Sequence, residues 1–369
     1  MKHWKDYCGL AVCLCAFVGV AAVGFFGNAP KATPSVPSSM TVPLLFDQGL
    51  SYPSVAAQAA CLIDAQSGAV LFEKNSSVML PMASTTKIMT ALVVLETLPL
   101  DAVVTVPAEA VGVEGSSLYL KEGEQLTVET LLYGLLLESG NDAAHTLAVA
   151  CSGDTRSFAE RMNGKAKELG LHSTHFVNPH GLTAEGHYTT AYELARITAE
   201  AMKNETFRTI VSTQKKLAPD TQGEQTRVFY NHNKMLRLYK DIVGVKTGYT
   251  KAAGRCLVTA ASVDEERLFI AVTLNDGADW ADHRALHDFA GAHFDTVEIA
   301  RADSFGVYVN GHRYANPQGI YLTVPRGIRP ILRYRCEKDA DERLIVRYYA
   351  EAAGELGHFY LVPDTSSSG

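Results

Sequence analysis

Ser84-Thr85-Thr86-Lys87 stands at the head of a long apolar stretch and places an amine three residues from a hydroxyl. On a helix, positions i and i+3 share a face, so the Lys87 amine can reach Ser84 and act as its base. The tetrad also has a plainer reading, an N-capping serine followed by a solvated lysine. Two further segments bear on the choice. In Leu136-Leu137-Glu138-Ser139-Gly140-Asn141, an apolar helix stops and a serine and an amide sit two residues apart, so that both can face one cleft. Taken alone, that segment is also a fair helix C-cap. Farther on, Gly244-Val245-Lys246-Thr247-Gly248-Tyr249-Thr250 reads as a short strand carrying a second lysine. Each element is common singly, but the three in this order and at these separations rarely coincide by chance.

Several phrases sharpen the pattern: Pro81-Met82-Ala83-Ser84-Thr85-Thr86-Lys87-Ile88-Met89-Thr90-Ala91-Leu92, Asn178-Pro179-His180-Gly181-Leu182, His187-Tyr188-Thr189-Thr190-Ala191, and the run from Gly244 to Gly254. With them the chain resembles the low-molecular-mass penicillin-binding proteins of the D-alanyl-D-alanine carboxypeptidase family over residues 57–294, and in the tail beyond. The resemblance implies a serine peptidase that removes the terminal D-alanine from peptidoglycan pentapeptide stems through a Ser84 acyl-enzyme, and that β-lactam antibiotics acylate covalently. A serine hydroxyl needs a base within reach, and a lysine serves only if burial or nearby cations lower its pKa. Lys87 is that base by resemblance, with Lys246 as the second positive charge. Ser139 becomes the proton relay to the departing amine, and Asn141 the group that holds the substrate amide and orients Lys87. Lys246 and Thr247 suit the substrate's terminal carboxylate, because an ammonium and a hydroxyl together satisfy an anion. Gly248 lets the substrate backbone approach the strand. The backbone N–H groups of Ser84 and Tyr249 supply the oxyanion donors. The family often has histidine where this chain has Tyr249. His232, in Asn231-His232-Asn233, and Arg284, in His283-Arg284, are candidates for a supporting or carboxylate-binding role.

Other functions are tested by composition and motif. A formal charge of -7 over 369 residues argues against a nucleic-acid binder, and the sequence carries no Walker-type or dinucleotide glycine pattern. No cofactor is expected. His283 and His287, four residues apart, have the spacing of a metal-binding pair but lack the third ligand and the general-base glutamate of a metallopeptidase helix. A serine β-lactamase on the same scaffold would add a deacylating glutamate loop, and no segment between Ser139 and Lys246 resembles the class A form of it. A D,D-endopeptidase is a close alternative. A non-catalytic wall-binding protein has little support, since every motif side chain is intact. Arg326, Arg329, Arg333 and Arg335 either touch anionic wall polymers or form a solvated strand face.

Hydropathy and periodicity set the elements that must position these groups. Lys2 and Lys5 precede an apolar run from Tyr7 to Phe26, so residues 1–28 read as a signal peptide or an uncleaved N-terminal anchor. Asn28-Ala29-Pro30 offers a cut, disfavoured by the proline. Export follows, to the membrane surface or cell wall, with membrane contact through this segment if it is uncleaved. No amphipathic helix closes the chain, which leaves anchoring to that end. Residues 29–54 read as a Pro- and Ser-rich tether, 55–294 as the catalytic domain, 295–363 as a small β domain and 364–369 as a disordered tail. The fold class expected is α/β of the α+β kind: one sheet flanked by helices, of the β-lactamase and transpeptidase type. Hairpins are expected at Ala59 to Glu73 and Leu257 to Leu274. Helices are expected at Ser84–Leu95, Thr127–Leu137, Asn141–Ala150, Thr155–Leu169, Ala191–Met202 and Asp279–Phe294, with Thr127 and Thr155 as N-caps. Cys61, Cys151, Cys256 and Cys336 are even in number and permit disulfides, without the spacing of a compact framework.

Overall fold

The computed structural model describes residues 50–219, 226–264, 267–350 and 354–364. The signal or anchor, most of the tether and the tail beyond residue 364 lie outside the described residues. In chain order the strands are β1 (Ala59–Asp64), β2 (Val70–Lys74), β3 (Val103–Thr105), β4 (Gln125–Thr127), β5 (Lys215–Pro219), β6 (Thr226–Tyr230), β7 (Ile242–Thr250), β8 (Gly254–Ser262), β9 (Leu268–Leu274), β10 (Phe294–Ala300), β11 (Gly306–Val309), β12 (His312–Ala315), β13 (Ile320–Pro325), β14 (Leu332–Lys338), β15 (Leu344–Ala350), β16 (Gly354–Tyr360) and β17 (Val362–Pro363). The helices are α1 (Lys87–Thr97), α2 (Val128–Leu137), α3 (Asn141–Ser152), α4 (Thr155–Glu168), α5 (Ala191–Ala201), α6 (Glu205–Ser212), α7 (Met235–Leu238) and α8 (Asp279–His293).

The central sheet has the order β2-β1-β9-β8-β7, with every pair antiparallel. The β1–β2 and β8–β9 hairpins are those read from the alternation of apolar residues, and β7–β8 adds a third. Side chains alternate across a sheet, and both faces are buried here. Cys61, Ile63, Ile270 and Val272 face the cluster formed with α1 to α6, whereas Ala60, Leu62, Phe269 and Ala271 face Leu286, Phe289 and Ala290 of α8. Helices thus flank the sheet on both sides, the arrangement expected from sequence.

Local chemistry sets the helix starts. Thr127 caps α2 by accepting from the Thr130 N–H, as its position predicts. At α4 the expected cap Thr155 is corrected to Asp154. One of its carboxylate oxygens accepts the Ser157 N–H at 2.7 Å and the other the Ser157 hydroxyl at 2.8 Å, leaving Thr155 as the first helical residue. Leu50 packs against the α8-side core and the Tyr52 ring lies 5.2 Å from Phe289, so the segment just before β1 is already packed.

Strands β10 to β17 gather around a separate apolar cluster that includes Leu322, Val346, Tyr348 and Phe359. β10 follows α8 directly, and β10–β13 returns buried hydroxyls to the main sheet. Thr296 and Thr323 donate to Asp64 Oδ2 at 2.6 and 2.7 Å, while Asp64 Oδ1 accepts from Gln66 and Ser67 N–H. Among the described residues, Cys61, Cys151, Cys256 and Cys336 are all free thiols.

Candidate active site

Ser84 lies in a short 3-10 turn, Ala83–Thr86, that runs straight into α1. The turn opens with Ala83 at φ +48°, a left-handed conformation costly for a residue with a Cβ. Lys87, the first residue of α1, is fully buried. Its Nζ lies 2.9 Å from Ser84 Oγ, 2.7 Å from Asn141 Oδ1 and 2.7 Å from the His180 carbonyl oxygen. Two of these partners are carbonyls that only accept. They take two N–H bonds, so the third corner of the amine, an N–H when charged and a lone pair when neutral, faces the Ser84 hydroxyl. Burial, and then the neighbouring Lys246 charge, hold the Lys87 amine well below the ordinary lysine range, with Asp142 opposing them. The solvated-lysine reading of this tetrad is thereby ruled out.

Asn141 opens α3, and its amide is fixed from both ends: Oδ1 takes Lys87 and Nδ2 donates to the Glu114 carbonyl at 2.5 Å. The next residue, Asp142, was not singled out from sequence. Its buried carboxylate accepts N–H groups from Leu118, Leu120 and Ala143 and the Ser117 hydroxyl, tying the loop over α3 to the helix start. An aspartate in a helix's first turn is a common sequence feature, but its long-range partners are not visible in the chain order. Ser139 sits at φ +63° in the turn between α2 and α3. Its hydroxyl is buried and, among the described residues, has no hydrogen-bond partner. A buried hydroxyl left unpaired costs roughly 1–3 kcal/mol, and such groups concentrate where a ligand or a moving proton completes them.

The Lys-Thr-Gly strand is β7, at the edge of the sheet. Lys246 is buried, donates to the Thr247 carbonyl at 2.9 Å, and has its amine pushed down to about 7 by burial. A Cβ placed on Gly248 would lie 3.0 Å from the Ser84 nitrogen, so glycine suits the close approach of β7 to the turn that carries Ser84. Thr247 is half-buried and the Tyr249 side chain is exposed. His232 stands 3.2 Å from Glu138 Oε2. Burial, and then Lys246, push its imidazole down, with Glu138 opposing, which places it on the Lys246 side of the site. Arg284 is not brought there. It projects from α8, behind the sheet, where Nη1 donates to both Asp241 carboxylate oxygens at 3.0 Å, the other terminal nitrogen pairs with Asp288, and the guanidinium lies 4.8 Å over the Tyr239 ring. The His283 and His287 rings both bond to Thr259 Oγ1 at 2.6 Å, and His283 reaches Thr273 at 3.0 Å.

Of the sequence candidates, Ser84, Lys87 and Asn141 form one hydrogen-bonded group, with Lys246 electrostatically coupled to it and Gly248 against its backbone. The 172–190 loop adds the His180 carbonyl, and this contribution is invisible in side-chain motifs.

The model of the D-alanyl-D-alanine carboxypeptidase family matches residues 47–278. The D-alanyl-D-alanine carboxypeptidase DacF of Bacillus subtilis is 36% identical over 250 residues, covering 65% of this chain and 63% of its own length. DacC of Escherichia coli is 33% identical over 305 residues, covering 76% of this chain and 74% of that relative. Among solved structures, penicillin-binding protein 5 of Haemophilus influenzae superposes with a TM-score of 0.72 at 26% identity, over 85% of this chain and 98% of that one. The Streptomyces K15 DD-transpeptidase gives 0.61 at 35% identity, over 65% and 98%.

Proposed function

The chain belongs to the D-alanyl-D-alanine carboxypeptidase family, and on that premise we propose that it removes the terminal D-alanine of peptidoglycan stem pentapeptides through a Ser84 acyl-enzyme. The observation that carries the reading is the buried Lys87 amine, aimed at Ser84 by two fixed carbonyls. Neutral Lys87 takes the proton as Ser84 Oγ attacks the penultimate D-alanine carbonyl. The oxyanion that forms is held by the Ser84 and Tyr249 backbone N–H groups. The C–N bond then breaks, and the departing amine receives its proton through the Ser139 hydroxyl, whose hydrogen-bonding capacity is unspent. Water attacks the ester, returns the serine and releases the shortened peptide. Lys246 and Thr247 take the terminal carboxylate, with His232 beside them. Asn141 orients Lys87 with its oxygen and keeps one N–H for the substrate amide. Penicillins present a carbonyl and a carboxylate to the same groups, so they acylate Ser84.

The substrate class places the enzyme outside the cytoplasmic membrane, which agrees with the charged and apolar pattern of residues 2–26. Among the described residues no helix is long and apolar enough to cross a membrane. Residues 55–294 act as the catalytic unit and the strands after them place it relative to membrane and wall. Incubating purified protein with pentapeptide and with cross-linked muropeptides, then weighing the products, tests the reaction. Loss of one alanine from the pentapeptide supports it, cleavage of cross-links alone points to an endopeptidase, and no product from either refutes it.

A further inference from the structure

We infer that His187 is a positioning residue for the nucleophile turn, acting through Thr86 on the backbone that precedes Ser84; the inference rests on Ser84 being the nucleophile. The hydrogen bonds fix their own direction. The Val177 N–H donates to His187 Nδ1 at 3.0 Å, so that nitrogen carries the lone pair and the proton sits on Nε2. His187 Nε2–H then donates to Thr86 Oγ1 at 2.8 Å, and the Thr86 hydroxyl donates to the Ala83 carbonyl at 2.8 Å. A one-way relay thus runs from the 172–190 loop to the peptide linking Ala83 to Ser84. That peptide starts from the left-handed Ala83, a conformation that persists only where the surroundings enforce it. The same loop closes on this carbonyl from a second direction. A Cβ on Gly181 would fall 1.9 Å from the Ala83 oxygen, so only glycine permits the contact.

The loop is itself anchored, which lets it serve as a splint. The Glu193 carboxylate accepts from the His172 and Ser173 N–H groups and the Thr174 hydroxyl, and Asn163 pairs with both the N–H and the carbonyl of Phe176. The His187 ring is buried edge-on to Phe176, 5.9 Å between centroids. The Ala83–Ser84 peptide carries the Ser84 N–H, one of the two proposed oxyanion donors, and sets the origin of the Ser84 side chain. Slackening the relay misaims both groups while leaving Lys87, Asn141 and Lys246 in place.

The test follows acylation by a fluorescent penicillin in stopped flow, with rates referred to titrated active sites and compared with unfolding midpoints. H187A is expected to slow the covalent step about 10- to 100-fold, since misplacement near 1 Å costs that much, with the pre-covalent dissociation constant unchanged. T86V, which keeps the shape and removes the hydroxyl, is expected to do the same. The double variant should be no slower than either single one, because both break one relay. H187Q, whose amide N–H can donate to Thr86, should recover most of the rate. Unaltered acylation per site in H187A, additive losses in the double variant, or H187Q no better than H187A each overturn the inference. If H187A does not fold, T86V decides alone, and a normal rate there refutes it. S84A, run alongside, separates the two readings: labelling that survives S84A sinks the nucleophile assignment, and not merely the relay.

Discussion

The central sheet buries a pair of bases on each side, and the two pairs behave differently. On the α1 side Lys87 and Lys246 are enclosed, Lys87 is aimed at Ser84, and the buried Ser139 hydroxyl has no partner among the described residues. On the α8 side His283 and His287 are just as buried, and burial lowers both imidazoles, yet they share the Thr259 hydroxyl as a partner, and His287 Nδ1 has none among the described residues. Burial and a shifted pKa therefore do not identify a reactive site by themselves. What separates the two faces is aim, the front amine being held against the Ser84 hydroxyl by two fixed carbonyls. The front pair carries the electrostatic cost of two buried amines, which the proposed reaction would use to keep Lys87 a base, whereas the back pair packs a helix onto a sheet.

Lys87→Ala attacks the front face at its base and carries the largest expected effect, a fall of about 10²- to 10⁴-fold in acylation rate with the circular dichroism spectrum retained. Unchanged acylation kinetics would erase the distinction between the faces. A chain ended after Phe294 probes the boundary with the strand region. It removes Thr296 and Thr323 from the buried Asp64 carboxylate, so stability should drop by about 2–4 kcal/mol in urea titration while hydrolysis of small peptides persists in the folded fraction. Stability equal to that of the full chain would show that β10–β13 is a detached appendage. Thr259→Val strips the shared partner from both back-face rings. It should cost about 1–3 kcal/mol, with acylation per titrated site unaltered. A slowed reaction there would tie the back face to catalysis.

The smallest effect is a pH slope. The folded Lys246 pKa, about 7, lies below the ordinary lysine value of 10.5, so below about 7 both folded and unfolded chains hold the proton and the burial penalty is fully present. Between those two values the unfolded chain binds more protons, so stability rises with pH, and above 10.5 it levels off. The melting temperature should therefore climb more from pH 6.5 to pH 9 in the parent protein than in Lys246→Met. Equal slopes would place the Lys246 amine in a wetter setting than its burial indicates.

Much of this was legible in the chain. The sheet's hairpins and the helices around the motifs followed from alternation and 3.6-residue periodicity, and the Ser84–Lys87 contact followed from i, i+3 spacing. The unread parts depend on distant pairing. β3 and β4 have three residues each and meet only across the intervening loop, so neither carries a pattern of its own. β16 includes Gly357 and breaks the alternation a strand reading needs. Helix α6 carries Asn204 as cap and buries Phe207, Ile210 and Val211 on one face, but at eight residues its periodicity spans little more than two turns. In the site, Asp142 and the His180 carbonyl escaped because the partners that tie them into it, Ala143 apart, lie more than 20 residues away. Arg284 reads as a candidate carboxylate binder in sequence, and the carboxylates it binds are Asp241, distant in the chain, and Asp288, one helical turn on.

The central claim is that one hydroxyl, Ser84, does the covalent chemistry. Intact mass of the protein after brief exposure to benzylpenicillin, followed by peptide mapping of the adduct, tests it most directly. The expected result is a single adduct on the peptide containing Ser84, stable for minutes or longer, and none in Ser84→Ala. An adduct on a different serine, or penicillin hydrolysed in rapid turnover without accumulating on the protein, would contradict it.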